Sequence, residues 1–403
     1  MHITKIETFQ FEEHPREIII QLHTNEGITG LGETNAKPSP VREMIHSICA
    51  DILIGKDPRD IEHIWSIFYK SFNHHGASAT EMRALSAIDI ALWDILGKLS
   101  NQPLYRLLGG RSREKIKAYN TCVGYQSNND RDMFLEQPEK LAEELLEQGI
   151  SAMKIWPFDE LSREFNGQYI SKDAVKKGAE PFQRIREAFG DDMELIFEGH
   201  GRWNLPSAIR IAKELEQYGL LWMEDITAVN HIDTLSRLKE AVNVPIAASE
   251  RLITRYQYQS LLEKNAADIV ITDPAWTGGV SETRKIAAMA ETFSLPFAPH
   301  NCGGPILHTV CTHLSFTLPN LYMMESVRAF YNGYYPDIVQ NVPVVIDGFI
   351  VPPEEPGLGI TLNPDVYKRK DLLYKMSEAP SSFSETAVYN SKGEGDPWKR
   401  ESS

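Results

Sequence analysis

The period of the apolar positions changes along the chain. Ile3 to Glu12 and Ile18 to Thr24 are rich in β-branched and aromatic residues and read as strands. The turn Asn25-Glu26-Gly27 leads from the second of them to a third short strand around Gly30 to Glu33. Residues 40 to 70 read as helical. So does the stretch from about Ala79 to Leu99, where Ile88, Leu92 and Ile95 recur at helical spacing. Gly109-Gly110 ends this region, a small α+β unit with polar loops at 34 to 39 and 72 to 78.

From about Lys115, short apolar runs alternate with longer helical stretches. Strand ends fall near Gly124, Trp156, Glu198, Glu224, Glu250, Asp273, His300 and Glu325. From Glu198 onward they are roughly 25 residues apart, the length of one strand–helix unit. Eight such units predict a closed, TIM-like (β/α)₈ barrel rather than an open sheet. The longer gap between Trp156 and Glu198 holds a polar insertion, DELSREFNGQYISKD, expected as a loop near the top of the barrel. Val344 to Val351 reads as one more strand. The expected organisation is a unit over 1–114, a barrel over 115–342, a returning segment over 343–377 that completes the first unit, and a polar tail over 378–403.

The strand ends carry the candidate chemistry. After the first strand, each segment has an ionisable residue at or near its end: Lys154 in AMKIW, Glu198 and His200 in ELIFEGH, Glu224 in LLWMED, Glu250 in IAASER, Asp273 in DIVITD, His300 in PFAPHN and Glu325 in YMMES. In such a barrel these ends face the active site. A single charge there would read as a helix cap, but a run across successive strands points to one shared site. Glu198, Glu224 and Glu250 put three negative charges at one mouth, an oxygen-only set suited to one Mg²⁺ or Mn²⁺. Asp225 is the rival to Glu224, since strand alternation turns only one of the two inward. Asp273 and His300, on adjacent strands, suit a carboxylate that orients an imidazole base. Lys154 suits the neutralisation of a substrate carboxylate or of the charge developing on it, and His200 a general acid; Glu325 suits a hydrogen bond to an enolate oxygen if protonated, or the orientation of another group if ionised. Arg251 is read as a brace for the carboxylates. Trp93 is read as a core or domain-interface residue, with Asp89 and Asp94 pairing across that interface; His74, His75 and Cys302 are assigned to structure, with a substrate contact from one of the two histidines left open.

Composition narrows the partners. The 403 residues carry 41 Lys and Arg against 56 Asp and Glu, a formal net charge of -15. That balance disfavours nucleic acid and anionic membranes. The longest apolar stretches are too short to span a bilayer. Four cysteines and an N-terminus without a basic-then-apolar leader lead to the expectation of a reduced, cytoplasmic protein.

With these residues in place, the chain resembles the enolase superfamily, in its mandelate racemase and muconate lactonizing enzyme branch. The likeness runs over residues 1 to about 375 and rests on ALSAIDIALWDILGK followed by LYRLLGG, and on the ordered set Lys154, Glu198, Glu224, Glu250, Asp273, His300 and Glu325. It implies an N-terminal α+β capping domain over the barrel and one Mg²⁺ per subunit held by Glu198, Glu224 and Glu250. It also implies an Asp273–His300 dyad, substrate contacts from loops around Thr34 to Pro40 and Asn73 to Ser78, and a homo-oligomer. Many members carry Lys-x-Lys on the second barrel strand; here Lys154 holds the first position and Trp156 the second. Together with His200, this is most similar to sugar-acid dehydratases of the galactonate dehydratase type. The implied reaction removes the C2 proton of an aldonic or aldaric acid and expels the C3 hydroxyl, leaving a 2-keto-3-deoxy acid. A racemase or epimerase acting beside a carboxylate is the alternative. The implied partner is a small carboxylate.

Overall fold

The computed structural model describes residues 1–379 apart from 37, 75, 77 and 78. The reading of His75, and that of the tail from 380 onward, lie outside the described residues.

Three N-terminal strands, Ile3–Phe11, Glu17–Thr24 and Thr29–Asn35, form an antiparallel sheet, and a late strand, Leu372–Glu378, pairs with the first of them. The helix Ala79–Leu99 lies on this sheet. Its approach is close because Gly30 and Gly32 face it: a Cβ on either would run into the carbonyl oxygens of Ala91 and Ala87. The chain end thus returns to the sheet where the chain began, with Phe9 opposite Tyr374.

The second body is an α/β barrel. Its strands are Ile116–Thr121, Ala152–Ile155, Glu194–Glu198, Trp222–Glu224, Ile246–Ala248, Ile269–Thr272, Phe297–Pro299 and Met324–Ser326. All pair in parallel and in chain order, and the eighth pairs with the first. Closure between the seventh and eighth runs through a parallel bridge of Phe297 with Leu321. The modified (β/α)₈ barrel with an N-terminal α+β unit is therefore the fold. The barrel interior is filled, not hollow: Trp222 and Tyr119 meet small residues Ala152, Ala247 and Ala298 among Ile196, Ile269 and Ile271.

Two expectations change. The first barrel strand ends at Thr121, not near Gly124, and Gly124–Tyr125 instead begins a small hairpin with Asn128–Asn129. The run Val344 to Val351 holds only a two-residue strand, Phe349–Ile350, antiparallel to the first barrel strand. Asp347 and Gly348 both have positive φ, so the chain turns back there and cannot extend.

The two bodies are joined by buried polar contacts. Glu33 accepts N–H groups from Gly304, Ile306 and Leu307 at the start of the helix Pro305–Thr317. Asp89 accepts from the backbone and hydroxyl of Ser281, and Trp93 donates to the same hydroxyl. Asp94 accepts from Leu31 N and Leu358 N and pairs with Lys98. Asp89 thus grips N–H and O–H donors of the other body, whereas Asp94 holds backbone N–H groups and a lysine of its own helix. Phe330, Tyr331, Tyr334 and Tyr335 are buried, and His14 stacks on Tyr334 at 4.1 Å between ring centroids. The four cysteines are free. Among the described residues no helix is long and apolar enough to cross a membrane.

Candidate active site

Parallel strands in one register bring their carboxyl ends to one mouth, so residues far apart in sequence meet there. Lys154, on the second strand, reaches Glu224 Oε1 at 2.8 Å, Glu325 Oε1 at 2.9 Å and Glu198 Oε2 at 3.7 Å. All four side chains are almost fully removed from solvent. Trp222 Nε1 holds the other oxygen of Glu224 at 3.0 Å. Thr121 donates to Glu325, and Asn301 N donates to its second oxygen at 2.6 Å. Asp273 Oδ2 lies 2.8 Å from His300 Nδ1, and His300 Nε2 lies 4.0 Å from Glu325. Ala275 N fixes the other oxygen of Asp273. His300 is the exposed member, with 12% of its side chain open to solvent.

The charges follow from burial against proximity. Burial opposes the ammonium of Lys154, but Glu224, Glu325 and Glu198 outweigh it and hold its pKa well above the ordinary value. Burial also opposes ionisation of Glu325, yet Lys154, His300 and the donors from Thr121 and Asn301 pull it down to about 2. Glu198 and Glu224 go the other way: burial first, then repulsion from neighbouring carboxylates, raises them to about 7 and about 8 despite Lys154. One ammonium cannot serve three buried acids, and the surplus charge falls on those two. Burial lowers His300, but Glu325, Asp273 and Glu250 raise it to about 10. The surrounding acids therefore favour the protonated imidazole, and a positive charge placed among them would weaken that preference.

The structure brings Lys154, Glu198, Glu224, Asp273, His300 and Glu325 into one connected set. Glu250 stands beside it: Arg251 Nε is 3.2 Å from Glu250 Oε1, and Glu250 Oε2 is buried without a partner. Asp225 binds Ser249 Oγ at 2.6 Å and Arg251 Nε at 3.0 Å, with its other oxygen buried and unpartnered. Arg251 thus braces both Glu250 and Asp225. His200 touches the set only through its backbone, whose N–H donates to Glu198 Oε1 at 2.6 Å. Its ring faces Asp159, from the insertion, with Nδ1 2.9 Å from Oδ2.

Among the described residues no three His, Cys, Asp or Glu side chains are arranged to hold a metal ion; Lys154 sits between the carboxylates instead. The donor chemistry nonetheless suits a hard divalent cation. Glu198, Glu224 and Glu250 offer oxygens alone, two of them carry unfavourable surplus charge, and Glu250 keeps an unpartnered buried oxygen.

Sequence reasoning missed several members. Thr121 escaped because the first strand was carried past it. Asp159 escaped because loop acids are usually solvated. On the capping side, Asn35 accepts from Trp276 Nε1 at 2.8 Å and Thr34 donates to Ala275 O, so the end of the strand Thr29–Asn35 is tied to the residues just after Asp273. Arg83 covers the Trp276 ring at 4.3 Å, and that ring lies 5.4 Å from His300.

A family model for the mandelate racemase / muconate lactonizing enzyme N-terminal domain matches residues 7–109, and one described as enolase C-terminal domain-like matches residues 137–366. The chain belongs to the enolase superfamily, in the mandelate racemase and muconate lactonizing enzyme branch. Among solved enolase-superfamily structures, one of the mandelate racemase subgroup from Agrobacterium tumefaciens is 42% identical, with TM-score 0.87 over 94% of this chain and 99% of that one. An enolase protein from environmental sequencing of the Sargasso Sea is 36% identical, with TM-score 0.87 over 94% and 99%. A protein from Zymomonas mobilis ZM4 with a provisional dehydratase assignment is 30% identical, with TM-score 0.87 over 94% and 100%. The strand-end constellation therefore sits in an enzyme scaffold.

Proposed function

We propose that the protein is a Mg²⁺-dependent dehydratase of a sugar acid, most similar to the galactonate dehydratase type, with the cation held by Glu198, Glu224 and Glu250. The observation that supports this most is the Asp273–His300 pair at 2.8 Å, set in the same mouth as Lys154 and Glu325. A hydrogen beside a carboxylate is weakly acidic, and its removal builds negative charge on the carboxyl oxygens. Bound Mg²⁺ would supply positive charge against the substrate carboxylate and the acidic cluster. Lys154 adds an ammonium for the developing oxyanion, and Glu325, ionised, orients that ammonium through their 2.9 Å ion pair. His300 takes the C2 proton through Nε2, since Nδ1 is held by Asp273. The electron pair left at C2 forms the C2–C3 double bond as the C3–O bond breaks. His200 protonates the departing hydroxyl, which leaves as water. The enol then ketonises to a 2-keto-3-deoxy acid.

The provisional dehydratase assignment of the Zymomonas mobilis relative is in keeping with this reading. The epimerase alternative needs a second base on the opposite face of C2, and Trp156 cannot be that base. The test is a screen of aldonic and aldaric acids with Mg²⁺ for 2-keto acid formation, run beside NMR of recovered substrate in D₂O. His300→Asn should stop both dehydration and C2 exchange. His200→Asn should keep C2 exchange while dehydration falls by roughly 10²-fold. Wild-type enzyme that inverts C2 across the panel without forming a 2-keto acid would transfer the assignment to an epimerase.

A further inference from the structure

His200 has neighbours on several sides, with 36% of its side chain open to solvent. Its backbone N–H is held by Glu198 and its carbonyl accepts from Arg251 Nη1 at 2.8 Å, so the main chain is anchored and the ring is the part left to place. Trp156 stands edge-on to the ring at 5.7 Å and itself leans on Phe134 at 5.1 Å. Asp159 Oδ2 lies 2.9 Å from His200 Nδ1, and that buried nitrogen has no hydrogen-bond partner among the described residues, so Asp159 is the polar group closest to hand for it. The same oxygen lies 3.0 Å from Arg202 Nε.

Asp159 is not a loosely solvated loop acid. Its side chain is 15% exposed, and its Oδ1 is buried without a partner. It follows Phe158, which is fully buried against Phe197 at 5.3 Å between ring centroids and is so close to the helix Lys172–Phe189 that a Cβ at Gly178 would strike its ring. Behind it the insertion is pinned to the loop after the third barrel strand: Asn204 N donates to Gly167 O at 3.0 Å, and Asn204 Nδ2 to Gln168 O at 2.8 Å. Gly167 has φ +70° and packs so tightly that a Cβ there would meet the Arg202 carbonyl oxygen. A segment fixed at both ends presents its carboxylate to Nδ1 of the imidazole.

We infer that Asp159 is the positioning residue of His200, holding Nδ1 so that Nε2 carries the exchangeable position toward the substrate, as Asp273 does for His300. This rests on the dehydratase reading for the use to which His200 is put. A carboxylate on one ring nitrogen selects the tautomer and orientation of the other, and loss of such a partner commonly costs 10- to 100-fold. The mouth would then carry two Asp–His pairs, one contributed by the sixth and seventh strands and one by the insertion with the third strand.

The test uses the full-length protein with Mg²⁺ and a sugar acid that the wild type dehydrates. Asp159→Asn should lower dehydration roughly 10-fold or more while C2 exchange in D₂O stays within about two-fold of wild type. Asp159→Glu should recover part of the loss, and the double variant with His200→Asn should be no slower than His200→Asn alone. Arg202→Gln, which removes the other partner of Asp159, should leave dehydration near wild type. Equal loss of exchange and dehydration in Asp159→Asn, or the same loss in Arg202→Gln, would show a merely structural anchor and overturn the inference. Long-range ¹⁵N NMR of histidine-labelled protein reads the His200 tautomer without any substrate. A tautomer unchanged by Asp159→Asn overturns the inference even if no sugar acid is turned over, whereas absence of 2-keto acid from the wild type overturns the dehydratase reading alone.

Discussion

Glu224 and Asp225 are neighbours in sequence with opposite surroundings. Glu224 faces Lys154 and Trp222 inside the mouth, whereas Asp225 turns to Ser249 and Arg251. The strand ends at Glu224, and Asp225, with φ +42°, turns away just beyond it. Glu224→Gln keeps the shape of the side chain and removes a charge that burial already disfavours, so the protein should stay folded. If Glu224 is a metal ligand, Mg²⁺-dependent turnover should be lost, and Mg²⁺ binding measured by calorimetry should weaken by at least 10-fold. Loss of binding in Asp225→Asn, with binding kept in Glu224→Gln, would move the ligand assignment to Asp225. At this scale the sequence revealed which residues could be ligands and not their pairings. That Lys154 lies among three carboxylates depends on the strand register and on side-chain directions that no spacing rule contains.

The element that most depends on its neighbours is the helix Pro305–Thr317. Its N-cap, Gly304, has no side chain to accept the first N–H groups, and Pro305 provides none of its own. Glu33, from the third strand of the capping sheet, accepts three of them. Gly304 leaves room for that carboxylate, because a Cβ there would sit 2.7 Å from Glu33 Oε2. Glu33→Ala should strip three buried donors of their acceptor and cost about 2–4 kcal/mol, read as a lower urea midpoint. A midpoint unchanged within error would mean that water replaces the carboxylate at no cost. The helix Ala79–Leu99 was legible at its full length from its spacing alone, since it is long and strongly periodic. The Val344 to Val351 run was misread because its apolar residues suit a strand while Asp347-Gly348 turns the chain inside it.

Across the whole molecule, acid stability depends on imidazoles that fold as neutral donors. His308 lies between Asn301 Nδ2 at 2.8 Å and Pro343 O at 3.0 Å, and His313 between Tyr105 N and Leu358 O. The partners assign Nε2 as the donor and Nδ1 as the acceptor. Burial lowers both to about 4 from an ordinary 6.5. The stability each contributes is therefore complete above pH 6.5 and lost as pH falls toward 4, because the unfolded chain takes up the proton first. Buried acids with raised values, such as Glu198 and Glu224, act in the opposite direction over pH 4.5 to 8, so the net profile alone does not isolate either group. The comparison with His308→Gln does: the stability advantage of the wild type should shrink by up to about 3 kcal/mol between pH 7 and pH 4. Urea titrations of both proteins across that range measure it, and a constant gap would show that His308 does not fold as the neutral form.

Local pattern carried the architecture. Repeated strand–helix units have a period and a polarity that backbone geometry imposes, so the barrel, the capping unit and the acids at the strand ends follow from residue type and spacing. Contacts across the barrel mouth do not, because they join residues from 24 to 204 positions apart through the stagger of eight strands. The sequence marked Lys154, Glu198, Glu224, Asp273, His300 and Glu325 one by one, and tertiary structure decided that they share charge. It also decided that Glu33 serves a helix in the other domain, and that Asp159, one acid in a polar insertion, faces His200. The physical reason is that propensity acts between neighbours along the chain, whereas burial and charge act between neighbours in space.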